Sequence, residues 1–279
     1  MITRRTLALS PFALLLLSPE AWAEDDVVIP LDTSGQRPAV HLSLAGGAPE
    51  NWVFDTGAAG SVINEDRASA LDLPILGVTR VGSPIGGEVI EASRVSVASA
   101  RIGDVVLPDF TAVAMRLPGN LDHTGVLSPN IFRGRLVRFD FARGEVRITD
   151  RANAPASEPT PYVGAHPLPS IRVSVNGRTF DAHLDTGAPH VVSFPYAEAG
   201  ALPLAAPPFE TGRARFVDGE RTRYSAELRG EVSIGPLTLS NPQISMIDGL
   251  PFVNVGTEAL RRMVVTLDPE RRVSWAELA

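Results

Sequence analysis

The chain has 279 residues, 44% of them hydrophobic, so it can bury a sizeable core and is long enough for two domains. Its formal net charge of −7 provides no basic surface for nucleic acid, and the lack of cysteine excludes disulfides, thiolate metal sites and cysteine nucleophiles. The 24 glycines and 24 prolines, with few long helical patterns, favour an all-β fold of short strands and tight turns.

The first 23 residues have the pattern of an export signal. A basic start precedes an apolar run from Leu7 to Leu17, and Ala21-Trp22-Ala23 resembles a signal-peptidase site. We therefore expect cleavage before Glu24 and a location outside the cytoplasm, either periplasmic or secreted. The pair Arg4-Arg5 is also compatible with the twin-arginine route, so the choice between that route and Sec stays open. The apolar run is short for a stable anchor, although an uncleaved anchor is the alternative.

Asp32 is the first acidic residue that follows a strand-like run. It is followed by Thr33 and then Ser34, so no glycine comes directly after the threonine, and the second half of the chain has no matching segment. We interpret Asp32 as a turn residue.

Residues 39–63 predict a β-hairpin that ends in a second acidic residue. Apolar residues alternate with polar ones, a glycine-containing turn follows, and a second strand leads to Asp55-Thr56-Gly57. The alternating apolar positions are Val40, Leu42 and Leu44. Further along, Val126-Leu127-Ser128 precedes a short helical turn and a final hairpin.

The stretch 151–168 separates this region from the rest of the chain. It is rich in proline and has no periodic pattern, so it predicts a linker between units at residues 24–150 and 169–279.

The second unit repeats the first in the same order. Alternating Ile171, Val173 and Val175 predict the first strand of a hairpin whose second strand leads to Asp185-Thr186-Gly187. The segment ending in Gly256 then takes the place of Val126-Leu127-Ser128. A single Asp-Thr-Gly is explained by a strand-end turn, but two copies in matching contexts favour a functional pair.

These paired motifs resemble the aspartic proteases of the pepsin and retroviral group. The resemblance covers nearly all of the chain after residue 23 and is closest to a retroviral-type lobe used twice. It implies a bilobal acid-protease fold with two similar, barrel-like β lobes, a short helix in each, and the active site between them. It also implies that Asp55 and Asp185 are the catalytic pair of an endopeptidase that cleaves extended peptides.

The resemblance assigns supporting roles to the residues around the pair. Thr56 and Thr186 bond to the backbone of the opposite lobe, while Gly57 and Gly187 leave room for substrate. Gly256 lets the chain pass close beneath the second aspartate.

One feature shared with the retroviral enzymes and not with pepsins, and one departure from the family pattern, bear on activity. Alanine follows each motif, at positions 58 and 188, where a hydroxyl could stabilise the charged carboxylate, so we expect activity at milder acidity than pepsin requires. Ser128 replaces a glycine of the family, which leaves open a catalytically silent peptide-binding protein as the alternative function. His190, close to the second motif, is interpreted as a loop residue.

Two further segments resemble the flap hairpins that cover the substrate. The first contains Ile85, Gly86 and Gly87, and the second has Asp218-Gly219 at its turn. An ordinary surface hairpin is an equal alternative for the second segment.

The sequence also limits the partners that we expect. A peptide or protein is the expected substrate, without nucleic acid, metal or cofactor, because the histidines have no metal-ligand spacing and no phosphate-binding loop is present. We expect no integral membrane segment after signal cleavage. A monomer is sufficient, because one chain carries both motifs.

Overall fold

The structure is a computed structural model that describes residues 26–82, 89–117, 123–164, 167–216 and 219–279. The predicted export signal therefore lies outside the described residues. The same holds for Ile85, Gly86, Gly87 and Asp218 of the predicted flaps.

The fold is all-β, as predicted, and the described part of each half contributes twelve strands and one short α-helix. The helix α1 (Glu65–Ala70) lies in the first half and α2 (Thr257–Leu260) in the second. The first twelve strands are β1 (Val27–Pro30), β2 (Ala39–Ser43), β3 (Glu50–Phe54), β4 (Ser61–Asn64), β5 (Ile75–Val81), β6 (Ile90–Val97), β7 (Arg101–Ile102), β8 (Val105–Val106), β9 (Phe110–Met115), β10 (Gly125–Leu127), β11 (Leu136–Asp140) and β12 (Glu145–Thr149).

The second half repeats this order. Its strands are β13 (Thr160–Pro161), β14 (Ser170–Val175), β15 (Arg178–Asp185), β16 (Val192–Pro195), β17 (Phe209–Phe216), β18 (Gly219–Glu227), β19 (Glu231–Ile234), β20 (Leu237–Ser240), β21 (Gln243–Ile247), β22 (Val253–Gly256), β23 (Met263–Asp268) and β24 (Val273–Leu278).

Each half forms a nine-stranded sheet with the same strand order. The first sheet has the order β5-β6-β9-β4-β10-β3-β2-β7-β8, and the second has the order β17-β18-β21-β16-β22-β15-β14-β19-β20. Every strand of the first sheet is matched by the strand twelve places later in the second. The internal duplication of the sequence is therefore a duplication of structure, and we call the two halves lobe one and lobe two.

A six-stranded sheet joins the two lobes. Its order is β1-β12-β11-β23-β24-β13, so β11 of lobe one pairs with β23 of lobe two at the centre. The stretch predicted to be a linker supplies β13, which pairs with β24. Arg151, from the same stretch, donates to both carboxylate oxygens of the fully buried Asp268 at 2.9 and 3.0 Å. The linker is thus anchored to lobe two at these two places.

The alternating strands that the sequence predicts bury their apolar residues. Val40 and Leu42 of β2 are inaccessible to solvent, and in lobe two Val173 of β14 is equally buried. Because the Asp-bearing strands pack into the core, these hairpins hold the following loops rigidly. No helix within the described ranges is both long and apolar enough to cross a membrane.

Candidate active site

The two Asp-Thr-Gly motifs lie at the ends of matching strands. Asp55 directly follows β3, and its backbone N–H donates to the carbonyl of Leu127 on β10 at 2.9 Å. Asp185 is the last residue of β15 and lies opposite Gly256 of the parallel strand β22. Each aspartate is therefore fixed by a parallel neighbour strand in the middle of its sheet.

Crossed hydrogen bonds between two buried threonines bind the loops together. The hydroxyl of Thr56 donates to the carbonyl of Leu184 at 2.7 Å and accepts the N–H of Thr186 at 3.1 Å. The hydroxyl of Thr186 donates to the carbonyl of Phe54 at 2.6 Å and accepts the N–H of Thr56 at 3.0 Å. Since both hydroxyls bond across the lobe boundary, the four bonds hold the two aspartates in a fixed relation.

Two glycines allow the carboxyl groups to approach each other. A Cβ atom on Gly57 would lie 2.8 Å from Cγ of Asp185, and one on Gly187 would lie 2.7 Å from Oδ2 of Asp55. The N–H of each glycine donates at 2.8 Å to Oδ1 of the aspartate in its own motif. Any side chain at these positions would push the carboxyl groups apart.

The proximity of the two carboxyl groups changes their protonation. Burial, followed by the charge of Asp185, raises the pKa of Asp55 from 3.8 to about 7. Two carboxylates within hydrogen-bonding distance cannot both ionise cheaply, so the pair retains one proton well above the usual pKa of an aspartate. One neutral and one charged carboxyl are available together in mildly acidic solution.

Comparison with known proteins agrees with this geometry. A family model described as aspartyl protease matches residues 40–131 and 171–264, one match in each lobe. The chain belongs to the aspartyl protease family. A search of curated proteins found no match. Family membership supports a protease-type function and a peptide substrate, and two aspartates that share one proton are the acid and base of this family's chemistry.

Ser128 supports the first aspartate loop with its hydroxyl. In lobe two, the N–H of Thr257 donates to the carbonyl of Ala188 at 2.7 Å. The matching residue in lobe one is Pro129, which has no N–H. There the hydroxyl of Ser128 donates to the carbonyl of Ala58, also at 2.7 Å, and so replaces the missing bond. The departure at position 128 therefore preserves the support of the loop.

Gly256 is confined far more tightly than Ser128. A Cβ atom on Gly256 would lie 2.3 Å from the carbonyl oxygen of His190 and 2.5 Å from that of Ala188. The backbone of loop two passes directly against this position. His190 is itself partly buried, and burial followed by the charge of Arg223 lowers its pKa.

A polar residue that the sequence analysis did not select contacts the pair. Asn254 of β22 donates from Nδ2 to Oδ2 of Asp185 at 2.6 Å. The matching residue of lobe one is Val126, which has no hydrogen-bonding side chain. An alignment of the two sequence repeats places Val126 opposite Asn254, and this exchange of an apolar for a polar residue was the signal that could have identified Asn254.

The predicted flap segments form hairpins at the edges of the two nine-stranded sheets. β5 pairs with β6, and β17 pairs with β18. Gly219 opens β18 with a φ of +133°, a backbone conformation that favours glycine. The predicted flap residues Ile85, Gly86, Gly87 and Asp218 lie outside the described residues.

Asp32 is a turn residue, as predicted. Its Oδ1 accepts from the N–H and the hydroxyl of Ser34 at 2.9 and 2.6 Å, and these bonds lower its pKa. Within the described residues, no three His, Asp or Glu side chains come together as a potential metal site.

Proposed function

We propose that the protein is an exported aspartic endopeptidase that hydrolyses apolar-flanked bonds of extended polypeptides with Asp55 and Asp185. The observation that carries this proposal is the contact between the two carboxyl groups, maintained by the crossed bonds of Thr56 and Thr186. A protein that only binds peptides has no need to hold two carboxyl groups in contact, since that contact opposes their ionisation and costs stability.

The arrangement suits general acid and base catalysis. The charged carboxylate accepts a proton from a water molecule while the water oxygen bonds to the peptide carbonyl carbon. The neutral carboxyl transfers its proton to the carbonyl oxygen, which gives a neutral tetrahedral diol and exchanges the charge between the two carboxyl groups. The carboxyl that took the proton of water then gives it to the peptide nitrogen, while the other carboxylate takes a proton from one hydroxyl of the diol. The C–N bond breaks, the new carboxyl and amine products leave, and the pair is again singly protonated. No covalent bond to the enzyme forms.

Two further parts of the proposal concern the state of the protein. The pattern of residues 1–23 supports export to the periplasm or the medium. The mass and N-terminal sequence of the protein recovered from an extracytoplasmic fraction test this, with a start near Glu24 expected. A monomer is sufficient for activity because both aspartates come from one chain. Activity per chain that stays constant on dilution would support this.

The decisive experiment compares peptide-library cleavage by the wild type with that by Asp55→Asn and Asp185→Asn from acidic to neutral pH. We expect each variant to lose at least about a thousandfold in kcat/KM. Asp32→Asn is the matched control, because Asp32 also precedes a threonine after a strand but lies in an exposed turn, and it should keep full activity. Equal cleavage by all four proteins would refute the catalytic role of Asp55 and Asp185.

The pH profile provides a second, independent result. Activity should decline as the pH rises through about 7, because Asp55 then loses its proton and the pair no longer has a neutral carboxyl. Peptide binding without cleavage by any of the proteins would instead favour the silent binding protein. Inhibition by a hydroxyl-containing analogue of the tetrahedral state should accompany cleavage.

A further inference from the structure

Among the described residues, the two aspartates differ in the number of their hydrogen-bond donors. Oδ1 of each accepts one backbone N–H, from Gly57 or Gly187, at 2.8 Å. Asp185 has in addition the amide of Asn254 on Oδ2 at 2.6 Å. Each hydrogen bond to a carboxylate favours its charged form.

The charge of Arg37 also favours the charged form of Asp55, but it is the smallest of the influences on that pKa, whereas His183 and His190 both face Asp185. The extra donor therefore favours ionisation of Asp185 over that of Asp55.

We propose that Asn254 is a positioning residue that makes Asp185 the charged member of the pair and leaves the shared proton on Asp55. This inference rests on the proposed function, because it assigns the base that activates water to Asp185 and the acid that contacts the carbonyl oxygen to Asp55.

The amide of Asn254 must be oriented for this role. An asparagine turned by 180° would place its oxygen against Oδ2 of Asp185, and that arrangement forms a hydrogen bond only if Asp185 carries the proton. The orientation of the amide and the charge of Asp185 are therefore coupled. Whatever fixes the amide also fixes which aspartate is charged.

His183 is the group that can fix the amide. It lies directly opposite Asn254 in the pairing of β15 with β22. Nδ1 of His183 and Oδ1 of Asn254 are both buried, and neither has a hydrogen-bond partner among the described residues. Burial lowers the pKa of His183, so its ring is neutral at pH 7 and has one N–H. With that hydrogen on Nδ1, the ring can donate to the amide oxygen through one bridging water, which turns the NH2 group towards Asp185.

Lobe one lacks both members of this arrangement. Val126 and Val53, which pair with each other across β10 and β3, occupy the positions of Asn254 and His183. Both valines are apolar, so no side chain at these two positions donates to Asp55. The two lobes thus supply their own matched controls, in which each polar residue can be replaced by its counterpart.

The test measures the ionisation of the pair with and without the donor. In Asn254→Val, the acid limb of the kcat/KM profile should move up by about one pH unit, because Asp185 loses a bond that stabilises its charge. The mirror variant Val126→Asn adds a donor near Asp55 and should instead move the alkaline limb down. His183→Val should shift the acid limb in the same direction as Asn254→Val, by a smaller amount.

A measurement that does not depend on catalysis can test this inference separately from the proposed function. The carboxyl carbons of 13C-labelled aspartate are titrated by NMR, and the signals of the pair are assigned by their loss in Asp55→Asn and Asp185→Asn. The lower of the two macroscopic pKa values should belong mainly to Asp185 and should rise in Asn254→Val. This result can be obtained even if no peptide is cleaved.

Two results would overturn the inference. One is an NMR titration in which Asp55 ionises first in the wild type. The other is an Asn254→Val protein that loses activity evenly at every pH with both limbs in place, since that is the effect of structural damage alone. Asn254→Leu, which keeps the shape of the asparagine, replaces the valine variant if thermal unfolding shows that the latter does not fold.

Discussion

The two lobes have the same strand order, but they support their aspartates by different means. Lobe one has Pro129 where lobe two has Thr257, and the hydroxyl of Ser128 supplies the hydrogen bond that the proline cannot. Lobe two has Gly256 where lobe one has Ser128, because the carbonyl groups of its loop lie against that position. A duplicated fold can therefore preserve the geometry of its loops while exchanging the atoms that maintain it.

The difference extends to the acidic pair itself. Apolar residues flank Asp55 at the positions where lobe two has His183 and Asn254, and the side-chain amide of Asn254 contacts the carboxylate of Asp185. Symmetry of the backbone brings the two carboxyl groups together, and asymmetry of the side chains distinguishes them. Substitutions in each lobe test this comparison directly.

Gly256→Ala should have the largest effect on stability. Its Cβ atom would lie 2.3 Å from the carbonyl oxygen of His190, so loop two must move, and we expect a loss of more than about 4 kcal/mol or a failure to fold. Urea unfolding measures the loss. Gly200→Ala in the same lobe is the control, because nothing lies within 4 Å of its added Cβ, and it should leave the free energy of unfolding nearly unchanged. If Gly256→Ala were as stable as that control, the backbone of loop two could not lie as close to position 256 as described.

Asp55→Asn should become more stable than the wild type as the pH rises. The folded-state pKa of Asp55 lies above its unfolded value of 3.8, so the stability that its protonated carboxyl contributes is complete below that value and is lost as the pH rises to about 7. The loss is at most about 1.4 kcal/mol per pH unit in that window. The variant cannot ionise there, so its advantage over the wild type should grow across the same window and then level off.

Asp32→Asn should change stability in the opposite direction to Asp55→Asn. Hydrogen bonds from Ser34 lower the pKa of Asp32, so its charge contributes stability above its unfolded pKa, and that contribution is lost as the pH falls through the lowered value. This variant should therefore be less stable than the wild type at neutral pH, with a difference that vanishes in acid. Denaturant unfolding across the pH range measures both variants. Parallel curves for Asp55→Asn and the wild type would disprove the raised pKa.

Ser128→Ala should change the free energy of unfolding less than Gly256→Ala or Asp55→Asn does. It removes the hydroxyl that donates to the carbonyl of Ala58 at 2.7 Å and also accepts the N–H of Asn130 at 3.3 Å, and we expect a loss of about 1 to 2 kcal/mol. Ser69→Ala on the exposed side of α1 is the control for the same chemical change and should cost less than about 0.5 kcal/mol. Equal losses in thermal or urea unfolding would mean that Ser128 does not support loop one.

The sequence was sufficient to predict the fold class and the duplication. Alternation of period two in segments such as Val40 to Leu44 and Ile171 to Val175 reflects the geometry of a single strand, so it can be recognised without neighbours. The repetition of Asp-Thr-Gly at matching strand ends also indicated which two acidic residues to compare. The turn role of Asp32 followed from local spacing, because its hydrogen bonds are to Ser34, two residues away.

The roles of Asn254, His183 and Ser128 were decided only by the tertiary structure. Asn254 contacts Asp185 from a strand 69 residues away, and the hydroxyl of Ser128 reaches a carbonyl 70 residues away. Such contacts depend on which strands become neighbours in the sheet and on the register between them, and neither follows from local periodicity. The sequence by itself determined that two aspartates form a pair, whereas the packing of their neighbours determined how each one is held.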